Sequence, residues 1–284
     1  MAVYKRTYEG YEGPLTPAWS RFMILARHSY GRLFQSRFLM IYMALCLFYP
    51  VGCIAFIYLS NNPVIVSTLR LQNLAAVDEK FFYTFCNVQG VFAYILTAFI
   101  SPSLVSWDLA NGALPLYFCR PFSRTEYVVG KLTVLIPLLS IITWIPGLVL
   151  YLIEGSLTGW SWMEENFWIA RSLFFGLLIW IMLLSLIGLA LAAWVKWRVA
   201  AGGLIFGVFF LGPGFGGAIN NVMRVNAGSL IDLNEVVRTI WANLLRYDSG
   251  TELSVTSAWL VLAVACAICL WLLHKRIRTF EVVK

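Results

Sequence analysis

Few residues in this 284-residue chain have the type and spacing to do chemistry. Cys266-Ala-Ile-Cys269 has the spacing of a redox dithiol, but it lies in an apolar run, where cysteine behaves as a small hydrophobe. Cys46, Cys53, Cys86 and Cys119 show no paired framework, and His28 and His274 are isolated. No Ser, His and acid set can be assembled. Gly130-Lys131 has the ending of a phosphate-binding loop, yet that loop needs a glycine five positions before its second glycine and Ser or Thr after the lysine. Thr125 and Leu132 stand there instead. The chain is therefore expected to have no catalytic residue and no metal site, to act as something other than an enzyme, and to leave any ATP to another polypeptide.

The elements that carry these residues are built for lipid. Hydrophobic residues make up 60% of the chain and charged ones 12%, about half the usual soluble share of roughly 25%. A helix needs about 20 apolar residues to cross a bilayer, because every backbone polar group must be bonded internally. Six stretches qualify: Phe38 to Leu59, Phe82 to Val105, Tyr127 to Ile153, Phe167 to Val195, Val199 to Ile219 and Thr256 to Leu273. Pro137 and Pro146 are expected to kink the third. The centres of the spans hold no ionisable residue, whereas proton or sodium coupling normally uses buried charge. Glu154 and Arg171 are placed at span ends, in reach of the interface.

Lys5, Arg6, Glu9 and Glu12 open the chain without an early apolar core, which predicts no cleavable signal. With both termini cytoplasmic, fifteen of the 21 basic residues fall inside, and nine of the 14 acidic ones fall outside. That is the asymmetry that sets topology. The net charge of +7 thus reports orientation, and nucleic acid is not an expected partner.

Between spans two and three lies an island of charge, Gly and Pro, "DLANGALPLYFCRPFSRTEYVVGK", Asp108 to Lys131. Ser123-Arg-Thr-Glu126 is a capping box that starts span three at a defined point. Arg120-Pro121 forces an extended residue and a turn. Asp108 is expected to cap a short helical segment, Leu109 to Phe118, with Leu109, Ala113, Leu116 and Tyr117 near one face. Two readings fit: a well-capped connecting loop, or a docking knob for a cytoplasmic partner.

The order Asp108, Gly112, Leu114, Tyr117, Arg120-Pro121, Ser123-Arg124, Glu126-Tyr127, Gly130-Lys131 resembles the first cytoplasmic loop of type-2 ATP-binding-cassette (ABC) transporter permeases. In that family the loop is a coupling helix seated in a groove of a separate nucleotide-binding subunit. The resemblance implies an ATPase contact made by Asp108, Leu109, Gly112, Leu116, Tyr117 and Arg120, with Arg124, Glu126 and Lys131 at its base. Cys119 stands where many relatives carry another small or polar residue. The resemblance also implies ATP and Mg on the partner subunit, a second permease subunit (identical or not), and residence in the bacterial inner membrane.

Two amphipathic helices flank this core. "TPAWSRFMILARHSYGRLFQSR" has Thr16 as N-cap and Pro17 at the first helical position. Its apolar residues Trp19, Phe22, Met23, Ala26, Tyr30, Leu33 and Phe34 recur at helical spacing opposite Arg21, Arg27 and Arg32. That pattern fits an interfacial helix, which the resemblance calls the elbow. Outside, "SLIDLNEVVRTIWANLLR" has Leu233, Val236, Val237, Ile240, Trp241, Leu244 and Leu245 as its stripe and Asp232 with Glu235 as a weaker capping box. Gly212 to Gly217, "GPGFGG", is expected to break span five near the outer surface. Gly203-Leu-Ile-Phe-Gly207 permits close helix approach, within the chain or, with Phe206, at the subunit seam that similar permeases form there.

The expected architecture is an all-α membrane protein. Residues 1–37 form a cytoplasmic N-terminus with the elbow, and residues 38–284 form a six-helix permease domain with a coupling loop at 106–126 and an outer helical loop at 220–255. The expected function is that of the transmembrane subunit of an ATP-driven exporter. The alternatives are a scaffold that recruits an ATPase, or an ion-coupled carrier. Charge-poor spans favour a lipidic, amphipathic or polymeric cargo.

Overall fold

The computed structural model describes residue 17 and residues 20–62, 77–118, 123–223, 226–251 and 253–277. Thr16, Trp19, Cys119 and Arg120 lie outside the described residues, as does the side chain of Leu116. The helices are α1 (Arg21–Leu33), α2 (Arg37–Ser60), α3 (Glu79–Leu104), α4 (Ser106–Ala110), α5 (Ala113–Phe118), α6 (Arg124–Ile142), α7 (Trp144–Thr158), α8 (Trp160–Glu165), α9 (Phe167–Trp194), α10 (Arg198–Met223), α11 (Leu233–Leu244) and α12 (Val255–Arg276), with a 3-10 turn at Asn226–Leu230. Six helical stretches are long and apolar enough to cross a bilayer, so the fold is that of an all-α six-span membrane protein.

Spans two (α3) and four (α9) form the centre, packed closely on one another, while spans one (α2), five (α10) and six (α12) ring them and present apolar side chains outward. The central contact depends on Gly188, where a Cβ would overlap the Ser101 hydroxyl. Phe48 on span one, Phe210 on span five and Leu260 on span six are exposed, as lipid-facing residues should be.

Among the described residues, five prolines lie in or beside the spans: Pro50, Pro102, Pro137, Pro146 and Pro213. A helical proline lacks the N–H that would bond the carbonyl four residues back, and in lipid that carbonyl cannot turn to water. The carbonyls so freed are those of Cys46, Ala98, Thr133, Ile142 and Phe209. Four of them are taken by side chains from other helices. The amide of the fully buried Gln89 donates to Ile142 O at 2.6 Å and to Cys46 O at 3.3 Å. The Tyr30 hydroxyl donates to Thr133 O at 2.9 Å, and Asn234 Nδ2 donates to Phe209 O at 3.0 Å. The fifth, Ala98 O, lies against Gly202, where a Cβ would sit 3.1 Å away.

The kink expected in the third span is found as an interruption at Thr143, between α6 and α7, with Pro146 in the first turn of α7. One expectation changes. Span five does not break at "GPGFGG": α10 runs through it to Met223, because Asn234 replaces the bond lost at Pro213. Its glycines serve close approach instead. Gly212 faces Ile231 O at 3.3 Å and Gly216 faces Gly228 O at 2.7 Å from the position of an added Cβ, so the 3-10 turn folds back onto the helix.

At that end α11 lies across the bundle with Val236, Val237, Ile240 and Trp241 buried, the stripe expected from sequence. Trp241 Nε1 donates to Gly176 O at 2.9 Å and Trp180 Nε1 to Gly90 O at 3.0 Å. The Asp232 carboxylate caps through Asn234 N, in place of the expected box with Glu235.

Gln89→Leu is expected to cost about 1 to 3 kcal/mol by orphaning two carbonyls. Pro50→Ala, which restores the helical N–H facing Cys46 O, is expected to stabilise the Gln89→Leu protein more than the wild type. Unfolding in mild detergent measures both effects. Additivity of the two substitutions within about 0.5 kcal/mol would contradict proline-carbonyl capture.

Candidate functional site

The segment between spans two and three folds as two short helices, α4 and α5, separated by Asn111 and Gly112. Gly112 has φ +62, a left-handed value that glycine adopts without strain. The expected continuous segment from Leu109 is therefore divided, and Asp108 does not cap it. Asp108 sits within α4, where it is buried and turned into the protein.

A buried acid needs partners, and Asp108 has two. Lys131 Nζ pairs with Asp108 Oδ2 at 2.7 Å, with both side chains more than nine-tenths buried. The Tyr127 hydroxyl donates to the same oxygen at 3.0 Å. Tyr127 and Lys131 are one helical turn apart on α6, and the lysine ammonium lies 5.3 Å from the centre of the Tyr127 ring. Tyr117 of α5 packs its ring against Tyr127 at 5.9 Å between centres. Burial, and after it the Asp108 charge, push the Tyr117 phenol above its ordinary pKa, against the opposing Arg32. It stays neutral and packs. Both short helices are thereby fastened to the start of span three.

The capping box that starts α6 is formed. Ser123 Oγ accepts from Glu126 N at 3.1 Å, and Glu126 Oε2 accepts from Ser123 N at 2.5 Å. The other end of the segment is tied to span four, where the buried Ser106 hydroxyl donates to Ala192 O at 3.0 Å. Arg276 Nε caps the next carbonyl, Ala193 O, at 3.2 Å, near the end of α9. Between these anchors the turn projects: Ala110, Asn111 and Gly112 are exposed, as is Trp107, while Leu109 is half-buried and Leu114 is buried.

Helix α1 completes the site. It starts at Arg21, with Ser20 at its N-cap, and buries Leu25, Ala26, Ser29 and Leu33. This stripe is rotated from the expected one, because α1 packs on span three. Gly130 provides the seat: an added Cβ would meet Leu25 Cδ2 at 3.1 Å and Phe22 O at 3.2 Å. Tyr30 reaches Thr133 O from the same face, and burial raises its pKa. Met23, Ile24 and Phe34 remain exposed on α1. Arg27 and Arg32 are exposed and Arg21 is half-buried, with the Arg32 guanidinium 4.6 Å from the centre of the Trp107 ring.

The structure thus brings together Asp108, Tyr117, Tyr127 and Lys131, and joins Arg32 to them through Trp107. The direct pairing of Asp108 with Lys131 and Tyr127 is not contained in sequence spacing; an acid, a tyrosine and a lysine near loop ends were the available signal. Elsewhere, Gly203 and Gly207 face outward on span five, with an added Cβ at Gly203 meeting nothing within 4 Å. Phe206 turns the other way and packs edge-on against Tyr94, 5.3 Å between ring centres. Glu154 is buried near the end of span three, where Asn61 Nδ2 donates to its Oε2 at 2.9 Å. Cys46, Cys53, Cys86, Cys266 and Cys269 are free, and among the described residues no His, Cys, Asp and Glu cluster could hold a metal.

No family model matches the chain, and no curated protein matches it.

Replacing Lys131 with Met is expected to destabilise the protein by about 3–5 kcal/mol, since it leaves Asp108 buried without its cation. The double change Lys131→Met with Asp108→Leu is expected to recover most of that loss. Chemical unfolding of the four proteins of the cycle measures the coupling. Additivity of the two single changes in the double variant, within about 0.5 kcal/mol, would show that the pair is not coupled.

Proposed function

We propose that the chain is the transmembrane subunit of an ATP-driven exporter of the type-2 ABC class, and that the segment around Ala110 to Gly112 delivers the motion of a separate ATPase subunit to the spans. The observation that carries this reading is the anchoring of the 106–118 segment. Its body is fixed to span three by Asp108, Lys131 and Tyr127 and to span four by Ser106, while its tip is exposed. A mere connecting loop has no need of a buried ion pair, whose desolvation seldom favours stability over an apolar packing of the same volume. A lever does need a stiff root. The basic excess at this end of the bundle supports a cytoplasmic position under the rule that orients membrane helices. On this reading Ala110, Asn111 and Gly112 touch the ATPase, Arg124 and Glu126 stand at the base, and ATP with Mg is bound and hydrolysed by the partner. The sequence motif adds its resemblance to the coupling loop, although its Leu116 side chain and Arg120 lie outside the described residues.

The exporter functions as a pair of permease subunits, with the open Gly203 and Gly207 face of span five against a second copy or a related chain. A cysteine placed at Gly203 is expected to trap a dimer on oxidation in native membranes, and one at the inward-facing Phe206 is expected to trap none. Gel mobility under non-reducing conditions reads this out, and the absence of any dimer from Gly203→Cys would count against the seam.

A second reading, an ion-coupled carrier, draws support from the buried Glu154 with its Asn61 partner, since a buried acid within a span is costly to keep. Purification of the tagged chain from its own membrane in mild detergent separates the two. An ATP-hydrolysing subunit is expected to copurify, and Ala110→Glu with Asn111→Glu is expected to weaken its recovery about thirtyfold, the scale of losing one central contact. If no ATPase copurifies while other complexes survive, or if the variant retains it fully, the exporter reading fails and the carrier takes its place.

A further inference from the structure

At the end of the bundle that carries α1 and the 106–118 segment there is a half-open cavity of about 200 Å³. Its charged and imidazole-bearing lining comes from four elements: His28 and Arg32 of α1, Asp108 of α4, Lys131 of α6 and Arg198 at the start of α10. The Asp108 charge is already matched by Lys131, whose buried ammonium forms part of the wall. The remaining charges, Arg32 and Arg198, are both exposed. Arg32 donates to His28 Nε2, at 3.3 Å, and stacks on Trp107. No carboxylate lies within ion-pair distance of either arginine among the described residues. Among the described residues the cavity therefore carries a net positive charge without a matching acid, on walls otherwise supplied by Leu25, Leu33, Leu104 and Trp107.

We infer that this cavity binds the phosphate of an anionic membrane lipid, with the Arg32 and Arg198 guanidiniums as its ligands. Guanidinium forks match phosphate oxygens, and basic pockets between spans recognise lipid headgroups. Three observations select a lipid over a free phosphate. Trp107, Trp194 and Trp197 are exposed at this end, marking the level of the headgroups. Arg276 lies over the Trp194 ring at 5.6 Å, and Lys275 over Trp271 at 5.0 Å, so cations ring the same level. Ile24 and Phe34 are exposed on α1, where acyl chains could lie against them. A lipid held there would bridge α1, span five and the Asp108–Lys131 root. The inference does not rest on the exporter reading.

The test is lipid retention by the full chain, purified in mild detergent and incubated with mixed micelles containing phosphatidylglycerol or phosphatidylcholine, then read by native mass spectrometry. Phosphatidylglycerol is expected to be retained in preference to phosphatidylcholine. Arg32→Ala with Arg198→Ala is expected to weaken that retention about thirtyfold, and Arg32→Lys with Arg198→Lys to keep most of it. Melting in phosphatidylcholine alone checks that all forms fold alike. Unchanged selectivity in a folded alanine variant would overturn the site. Loss of retention when millimolar inorganic phosphate is added, with arginine-dependent phosphate binding in its stead, would overturn the lipid in favour of a soluble phosphate.

Discussion

A carbonyl that loses its hydrogen bond inside a bilayer has no water to turn to, and this constraint organises the fold. Each proline in a span creates such a carbonyl. For four of the five described, the protein answers by sending a side chain from a neighbouring helix: Gln89 to both Cys46 O and Ile142 O, Tyr30 to Thr133 O, Asn234 to Phe209 O. The prolines thereby become attachment points. Pro50 and Pro146 give span two a hold on spans one and three, Pro137 gives α1 a hold on span three, and Pro213 gives α11 a hold on span five. Helices that share no hydrophobic driving force in lipid are joined by directed bonds that only one arrangement satisfies.

The same logic applies to charge near the membrane surface. Asp108 and Lys131 are close to balanced as an isolated pair, because burial costs each of them its hydration. Their contribution is positional. One carboxylate receives both the ammonium and the Tyr127 hydroxyl, which leaves a single seating for α4 on α6. Ser106 fixes the other end to span four, and Tyr30 with Gly130 fixes α1 alongside. The result is a block at one end of the bundle from which the Ala110–Gly112 turn protrudes.

The parts of this architecture that were legible in sequence rest on local chemistry. Span count and limits follow from hydropathy, and the Ser123–Glu126 box from its spacing. The stripe of α11 follows from helical period. What could not be read depends on partners distant in the chain. "GPGFGG" looks like a break because the sequence displays the missing N–H of Pro213 and not the Asn234 amide that replaces it. Asp108 looks like a cap because capping is the local use of an acid before a helix, while Lys131 is 23 residues away and is brought opposite it by the turn at Gly112. Glu154 stands near a span end, and its burial against Asn61, 93 residues away in the chain, is not contained in that position. The buried face of α1 departs from the expected stripe for a related reason: periodicity gives an apolar stripe, but Gly130 decides which edge of that stripe lies against span three.

The joint in span three follows from both themes. From Arg124 to Ile142 the span belongs to the anchored block, held by Lys131, Tyr127, Gly130 and Thr133 O. At Thr143 the helical ladder is interrupted, and Ile142 O is held by a side-chain amide in place of a backbone one. A side-chain bond has rotamers through which it can give, whereas a ladder bond is fixed by the turns on either side. A load applied at the exposed turn would therefore pass through the stiff root into α6 and find its first compliant point at Thr143, midway along the span. Gln89 meets the chain at that point, and its second bond runs to Cys46 O of span one, so displacement there would be shared by spans one, two and three.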